Sequence, residues 1–222
     1  MNVDVEAEPA AAAELAGDRI ELLRRYTANL VARGEELGLI GPLELPRIWT
    51  RHVLNSAVVA PLLGPGLVGD VGSGAGLPGI VLAALRPDLE FVLIEPMERR
   101  VLWLEEQVAD LGLGNTRVLR ARAEEARGEV LLDTCTARAV SALKKLVPMT
   151  APLVRAGGEL IFLKGNSVDA EIAAATTQLK KARVVNPRVE ILGDGLLSES
   201  TRVFRATVEG RPGHGAPSPR FT

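Results

Sequence analysis

Apolar residues recur at helical spacing near the start of this chain. Ile20, Leu23, Leu30 and Val31, with Thr27 between them, share one face and predict a helix over about residues 20–37, broken by Gly38, Gly41 and Pro42. A second helix is predicted from Pro46 through Leu63, with Ile48, Val53, Leu54, Ala57 and Val58 inward. From Leu67 strands and helices alternate. Strands are expected at about 67–70, 89–94, 116–119, 130–136 and 160–163, the last opened by Gly157-Gly158. Between them lie helices at about 78–86, stopped by Pro87, and 97–111, with Val101, Leu104, Val108 and Leu111 on one stripe. Helical segments at about 139–155 are interrupted by Pro148 and Pro152, and another helix covers about 168–182. Two strands at about 184–192 and 202–209 form a hairpin with a long loop. The alternation predicts an α/β fold with a mostly parallel, doubly wound, Rossmann-like sheet and an N-terminal helical extension. Four segments follow: an Ala/Glu-rich stretch at 1–16, expected to be frayed and disordered; a helical cap at 17–65; the α/β domain at 66–209; and a Gly/Pro/Ser-rich, flexible tail at 210–222.

Composition narrows the class. A chain of 222 residues, 47% apolar, suits one α/β domain with a modest extension. Apolar runs stay short of the ~18 residues that a transmembrane helix needs, so no membrane partner is expected. Asp4, Glu6, Glu8 and Glu14 give the N-terminus the wrong charge for a secretory signal. One cysteine, Cys135, excludes an internal disulfide and a cysteine-based zinc site, and no metal is expected. A cytoplasmic location follows as the expectation. The net charge of −2 argues against wholesale coating of nucleic acid. Its distribution is uneven: residues 1–18 hold five acids, while 178–222 hold eight Lys or Arg against four acids, so a local basic face is compatible with the sequence.

The chemistry centres on Asp70-Val71-Gly72-Ser73-Gly74-Ala75-Gly76-Leu77-Pro78-Gly79, which reads as a strand end, a glycine turn and a helix start. Gly72, Gly74 and Gly76 allow close backbone approach to a ligand, and the free amides of a helix start attract negative groups. Glu95, 21 residues after Gly74, ends the next strand, where nucleotide sites place the acid that binds ribose hydroxyls. Leu77 occupies the third glycine position of the dinucleotide fingerprint, and Tyr26, the only tyrosine, forms no Tyr-x-x-x-Lys pair. The spacing resembles instead the S-adenosylmethionine (SAM) turn of class I methyltransferases. SAM has no pyrophosphate to cradle, and an acid such as Asp70 beside the turn suits its cationic half.

Other candidates sit at predicted strand ends, where open α/β sheets bind ligands. Ala123 leaves room for an adenine and Glu124 can accept from its amine; equally, Glu124 suits a helix start. Cys135 reads as a buried, inert thiol, the alternative being a thiolate nucleophile for pyrimidine chemistry. Arg138 can clamp a carboxylate, a phosphate or the O6/N7 edge of guanine. Lys164 can touch a phosphate or a base. His52 reads as a structural residue rather than a base, and His214 lies in the tail.

Taken in order, Trp49-Thr50-Arg51-His52-Val53-Leu54-Asn55-Ser56, the Asp70–Gly79 turn, Glu95 with Arg99-Arg100, Arg122-Ala123-Glu124, Thr136-Ala137-Arg138-Ala139-Val140 and Leu163-Lys164-Gly165 resemble the RsmG family, also called glucose-inhibited division protein B. The resemblance spans about residues 20–210. It implies a class I SAM-dependent methyltransferase acting on N7 of guanine 527 in bacterial 16S rRNA; the slightly negative overall charge adds the expectation that a folded RNA loop, within a small-subunit particle, presents the base. It implies SAM contacts at Gly72, Leu77, Ala123, Glu124 and Arg138. Many members have Asp-Ser where this chain has Glu95-Pro96, Asp where it has Asn55, and a lysine-rich end where it has Val208-Glu209-Gly210-Arg211. Methylating N7 needs no general base, because that nitrogen carries a lone pair and no proton. Arg138 and Lys164 are therefore expected to orient the base or its phosphates. A small-molecule SAM methyltransferase with a closed apolar pocket, or a non-enzymatic RNA binder, are the rival readings.

Overall fold

Burial follows the apolar runs. In the computed structural model, which describes residues 4–209, strand β1 (Leu67–Val71) is buried at every position and β2 (Glu90–Ile94) at all but its first. Central parallel strands covered on both faces require this. The remaining strands are β3 (Thr116–Leu119), β4 (Leu132–Arg138), β5 (Val154–Lys164), β6 (Val184–Leu192) and β7 (Thr201–Val208). They form one sheet in the order β3-β2-β1-β4-β5-β7-β6. The first five run parallel, and β7 pairs antiparallel with both β5 and β6. The chain steps outward from β1 to β2 and β3, then returns to place β4 on β1's other side. The switch point, where such sheets bind ligands, lies between the ends of β1 and β4.

Helices α1 (Ala10–Ala16), α2 (Ile20–Arg33), α3 (Asn55–Ala57), α4 (Gly79–Leu85), α5 (Glu98–Asp110), α6 (Leu143–Thr150), α7 (Val168–Ala174) and α8 (Thr176–Lys181) complete the fold. Leu23, Tyr26 and Leu30 of α2 share one buried cluster with Ile80 and Leu82 of α4 and Trp103 and Leu104 of α5. A second cluster joins Leu143, Leu146 and Val147 of α6 and Leu179 of α8 to Phe162 and Phe204, whose rings stack 5.7 Å apart. Among the described residues no helix is long and apolar enough to cross a membrane.

Several expectations need correction. Residues 4–16 are not frayed: α1 buries Ala12 and Ala16, and the Glu6 carboxylate accepts the amides of Trp49 (2.8 Å) and Thr50 (3.1 Å). An alanine run has high helix propensity, and the nearby acids find donors, Glu8 pairing with Arg24 at 2.7 Å. The expected helix over 46–63 is a broken succession: a 3-10 segment at Pro42–Arg47, a π-helical stretch at Ile48–Leu54, then α3 and a 3-10 turn at Ala60–Leu62. Strand β5 starts at Val154, ahead of the two glycines. Leu132 pairs with Val154 and Thr134 with Glu159, so an irregularity containing Gly157 (φ +79°) absorbs the extra residues. The helix over 168–182 divides at Ala175. The tail expected at 210–222, with His214, lies outside the described residues.

Candidate active site

The glycine turn leaves β1 at the switch point. Gly72 has φ +70°, and a Cβ there would lie 2.8 Å from Val140 Cγ2. Gly76 has φ +100°, and a Cβ would meet Ile80 Cγ1 at 2.5 Å. Neither position accepts a side chain without strain or a shift. Asp70 braces the turn from within. Its Oδ2 accepts the Gly79 amide at 3.1 Å, its Oδ1 accepts the Thr136 hydroxyl at 3.0 Å, and Ser73 Oγ donates to its carbonyl at 2.8 Å. Burial pushes the Asp70 carboxyl up to about 6, against the opposing hydrogen bonds from Thr136 and Ser73. Asp70 and Ser73, expected beside the cofactor, are thus internal, at 1% and 2% exposure. Gly79, the first residue of α4, gives its amide to Asp70, so that donor is not free for a ligand. Leu77 is packed in the core, and a Cβ on Gly76 would run into Ile80; neither residue lines either of the two cavities of this site.

A cavity of about 490 Å³ opens beside the turn. Gly72, Glu95, Ala123, Glu124 and Arg138, all named as cofactor candidates from the sequence, line it, with Val71, Ile94, Val140 and Met149 as apolar walls. Glu95 is fixed in place: Oε2 accepts the Gly74 amide and Oε1 the Met97 amide, both at 3.0 Å. Gly74 therefore acts through Glu95 rather than on the cavity. Each carboxylate oxygen keeps a second lone pair, so Glu95 can still accept hydroxyls. Arg100 also lines the cavity, and its buried Nε has no hydrogen-bond partner in the structure. The donor set fits SAM: carboxylates for a ribose diol and an amine, apolar walls for an adenine, and a guanidinium for a carboxylate.

A second cavity, of about 570 Å³, adjoins the first. Glu44, Arg51, His52, Asn55, Lys164, Glu199 and Arg202 line it, and Arg138 and Ala139 line both. Arg138 is held by two bonds: Nη1 donates to the Arg51 carbonyl at 3.2 Å and Nη2 to His52 Nδ1 at 2.9 Å. Since Nδ1 accepts, Nε2 carries the proton and donates to Glu44 Oε2 at 2.6 Å. Burial, reinforced by the Arg138 charge, lowers the His52 imidazole to about 4 although Glu44 opposes it. With Nδ1 accepting from Arg138 and burial lowering its pKa, His52 is held as the neutral imidazole near pH 7.

Lys164 departs from expectation. Its Nζ is bound to Glu171 Oε2 at 2.7 Å and to the Ser141 carbonyl at 3.0 Å, and its side chain is 9% exposed. It is not a free cation at the rim. Cys135 is fully buried, its thiol pushed well up by burial, and it lines neither cavity. This is the buried thiol the sequence led one to expect. Sequence reasoning did not single out Glu44 or Arg202 and quoted Arg51 and Asn55 only within the Trp49–Ser56 stretch, whereas His52 is a structural residue, as its reading had it. The only local signal was Arg51-His52 and Asn55 interrupting an otherwise apolar helical stretch.

The comparisons with known proteins agree with this geometry. A family model described as GidB, rRNA small subunit methyltransferase G, matches residues 19–199. The ribosomal RNA small subunit methyltransferase G of Leifsonia xyli subsp. xyli is 63% identical over 208 residues, covering 94% of this chain and all of that protein. Its counterpart from Clavibacter michiganensis subsp. michiganensis is 61% identical over 204 residues, covering 92% and 97% of the two chains. Among solved structures, a SAM-dependent methyltransferase from Aquifex aeolicus matches with a TM-score of 0.55 at 19% identity, covering 75% of this chain and 95% of that one. That likeness concerns the fold, that of class I SAM-dependent methyltransferases. A match of this length and identity, on a chain whose switch point carries paired cavities, makes it a member of the GidB family, the rRNA small subunit methyltransferases G.

Proposed function

We propose that this chain transfers the methyl group of SAM to N7 of guanine 527 in 16S rRNA, presented within a small-subunit particle. The observation that carries the reading is the place of Arg138, which borders both cavities and is the only charged side chain common to them. The first cavity suits the cofactor, with Glu95 and Glu124 as acceptors and Gly72 allowing close approach. When bound, SAM supplies an electrophilic methyl group on a sulfonium.

The chain's own residues supply position and field. N7 needs no base, and the neutral His52 offers none at neutral pH. His52 and the Arg51 carbonyl fix the plane of the Arg138 guanidinium. Its remaining N–H groups are suited to the O6/N7 edge of a guanine. Holding reactants in register is worth on the order of 7–11 kcal/mol in ideal cases. Glu44 and Glu199 place carboxylates in the second cavity, where the methylated base becomes cationic. Arg51 and Arg202 there suit the flanking phosphates. This polar lining does not fit the closed apolar pocket of a small-molecule enzyme.

The test is borohydride/aniline cleavage of 16S rRNA from cells with and without the gene, together with methyl transfer in vitro to particles, protein-free 16S rRNA and short hairpins. Cleavage at guanine 527 only with the gene, and preference for folded RNA or particles, supports the reading. Turnover of a free nucleoside or a metabolite with none on rRNA refutes it.

A further inference from the structure

We infer that Glu171 of α7 and Lys164 of β5 form a clip that holds the Ala139–Leu143 segment in place, so that Lys164 serves the reaction by positioning this segment rather than by touching RNA. Four residues, 139–142, bridge β4 to α6. Ala139 lines both cavities and adopts φ +54°, a conformation that a residue with a Cβ adopts only when its surroundings impose it. Val140 lines the cofactor cavity and packs so closely on the turn that a Cβ on Gly72 would lie 2.8 Å from it. What imposes this path is a triangle of bonds. Lys164 Nζ grips the Ser141 carbonyl at 3.0 Å and Glu171 Oε2 at 2.7 Å, and the same Oε2 accepts the amide of Leu143, the first residue of α6, at 2.9 Å.

Both partners are largely sheltered, at 9% and 19% side-chain exposure. Burial alone would raise the Glu171 carboxyl, but the bonds from Lys164 and Leu143 outweigh it and hold the group below its ordinary range. Reaching a phosphate would require Lys164 to abandon this sheltered pair, leaving Glu171 uncompensated. Glu171 lines neither cavity, so its influence on the cofactor can pass only through the segment.

The inference rests on the reading that the first cavity holds SAM. It is tested with full-length Lys164→Ala, Glu171→Ala, Glu171→Gln and the double alanine variant, each checked for a native melting profile. SAM affinity is measured by calorimetry and binding to protein-free 16S rRNA by filter retention over a salt series. Each alanine variant is expected to weaken SAM about tenfold, and the double variant to lose no more than either alone, as members of one unit do. Glu171→Gln, which keeps an acceptor for Leu143 and lacks the charge, falls between, and it carries the comparison if Glu171→Ala does not fold. RNA affinity in the Glu171 variants stays within about twofold of the parent. The clip is overturned if Lys164→Ala weakens RNA and flattens the salt slope by about one while both Glu171 variants bind SAM normally. SAM affinity is read without RNA, so failure of the guanine-527 reading leaves this test intact. Absence of SAM binding by the parent protein refutes both.

Discussion

Tyr26 and Trp103 donate to the same oxygen, the carbonyl of Ala75 in the glycine turn, at 3.0 and 2.8 Å. One donor comes from α2 in the N-terminal cap, the other from α5 in the α/β domain, and both side chains are fully buried. The cap therefore helps to shape the turn. Tyr26→Phe removes one of two donors and should cost about 0.5–1.5 kcal/mol of stability, with a few-fold weaker SAM binding. Trp103→Phe also leaves a void and should cost more, about 2–3 kcal/mol. With both changed, the carbonyl has no donor, so the double variant should lose more than the sum. Denaturant melts and SAM calorimetry on the three variants check this; an additive result removes the shared-acceptor account.

Glu95 works twice, accepting two backbone amides and presenting a carboxylate to the cofactor cavity. Glu95→Ala should weaken SAM by about 1–3 kcal/mol and lower stability as well, since the Gly74 and Met97 amides lose their buried partner. Gly72→Ala should leave Glu95 untouched and still weaken SAM, because the new methyl would lie 2.8 Å from Val140 Cγ2, a wall of the cavity, and force it to shift. Calorimetry and thermal melts separate the two effects.

Arg138→Lys keeps the charge but cannot bond the Arg51 carbonyl and His52 Nδ1 in one plane. Methyl transfer to rRNA should fall about 10- to 100-fold in kcat, with a smaller change in SAM affinity. Cys135→Ser should keep most activity while losing about 1–2 kcal/mol of stability, since it buries a more polar hydroxyl where the thiol makes a long 3.8 Å contact to the Thr136 carbonyl. An inactive yet folded and SAM-bound Cys135→Ser protein would point to covalent chemistry.

His52 and Asp70 titrate in opposite senses. His52 falls from 6.5 to about 4 on folding, so the unfolded chain binds the proton more readily, and its contribution to stability is lost as pH drops from about 6.5 toward 4. Asp70 rises from 3.8 to about 6, so the folded chain binds the proton more readily and gains stability over much of the same window. The two nearly offset in the parent. His52→Gln removes the first alone, so its stability relative to the parent should improve by about 2–3 kcal/mol between pH 7 and pH 4. Urea melts across that range measure it; parallel pH profiles for the two proteins would refute the neutral, buried imidazole.

Much of this molecule was legible in the order of its residues. The strand-turn-helix at Asp70–Gly79, the carboxylate at Glu95 and the alternation from Leu67 onward are local patterns. Backbone geometry and burial act on neighbours in sequence, so period and glycine placement reveal them. The lining positions Gly72, Glu95, Ala123, Glu124 and Arg138 follow from one rule, that ligands meet strand ends at the switch point. What the sequence could not reveal is which polar groups were already committed. Asp70 and Lys164 carry the charges expected of ligand contacts, yet Thr136, 66 residues from Asp70, and the pair of Ser141 and Glu171 around Lys164 take them up. His52, 86 residues from Arg138, becomes its support for the same reason. A hydrogen bond is satisfied by whatever the fold brings within about 3 Å. That choice belongs to tertiary packing, and it separated the side chains that shape this site from those that face it.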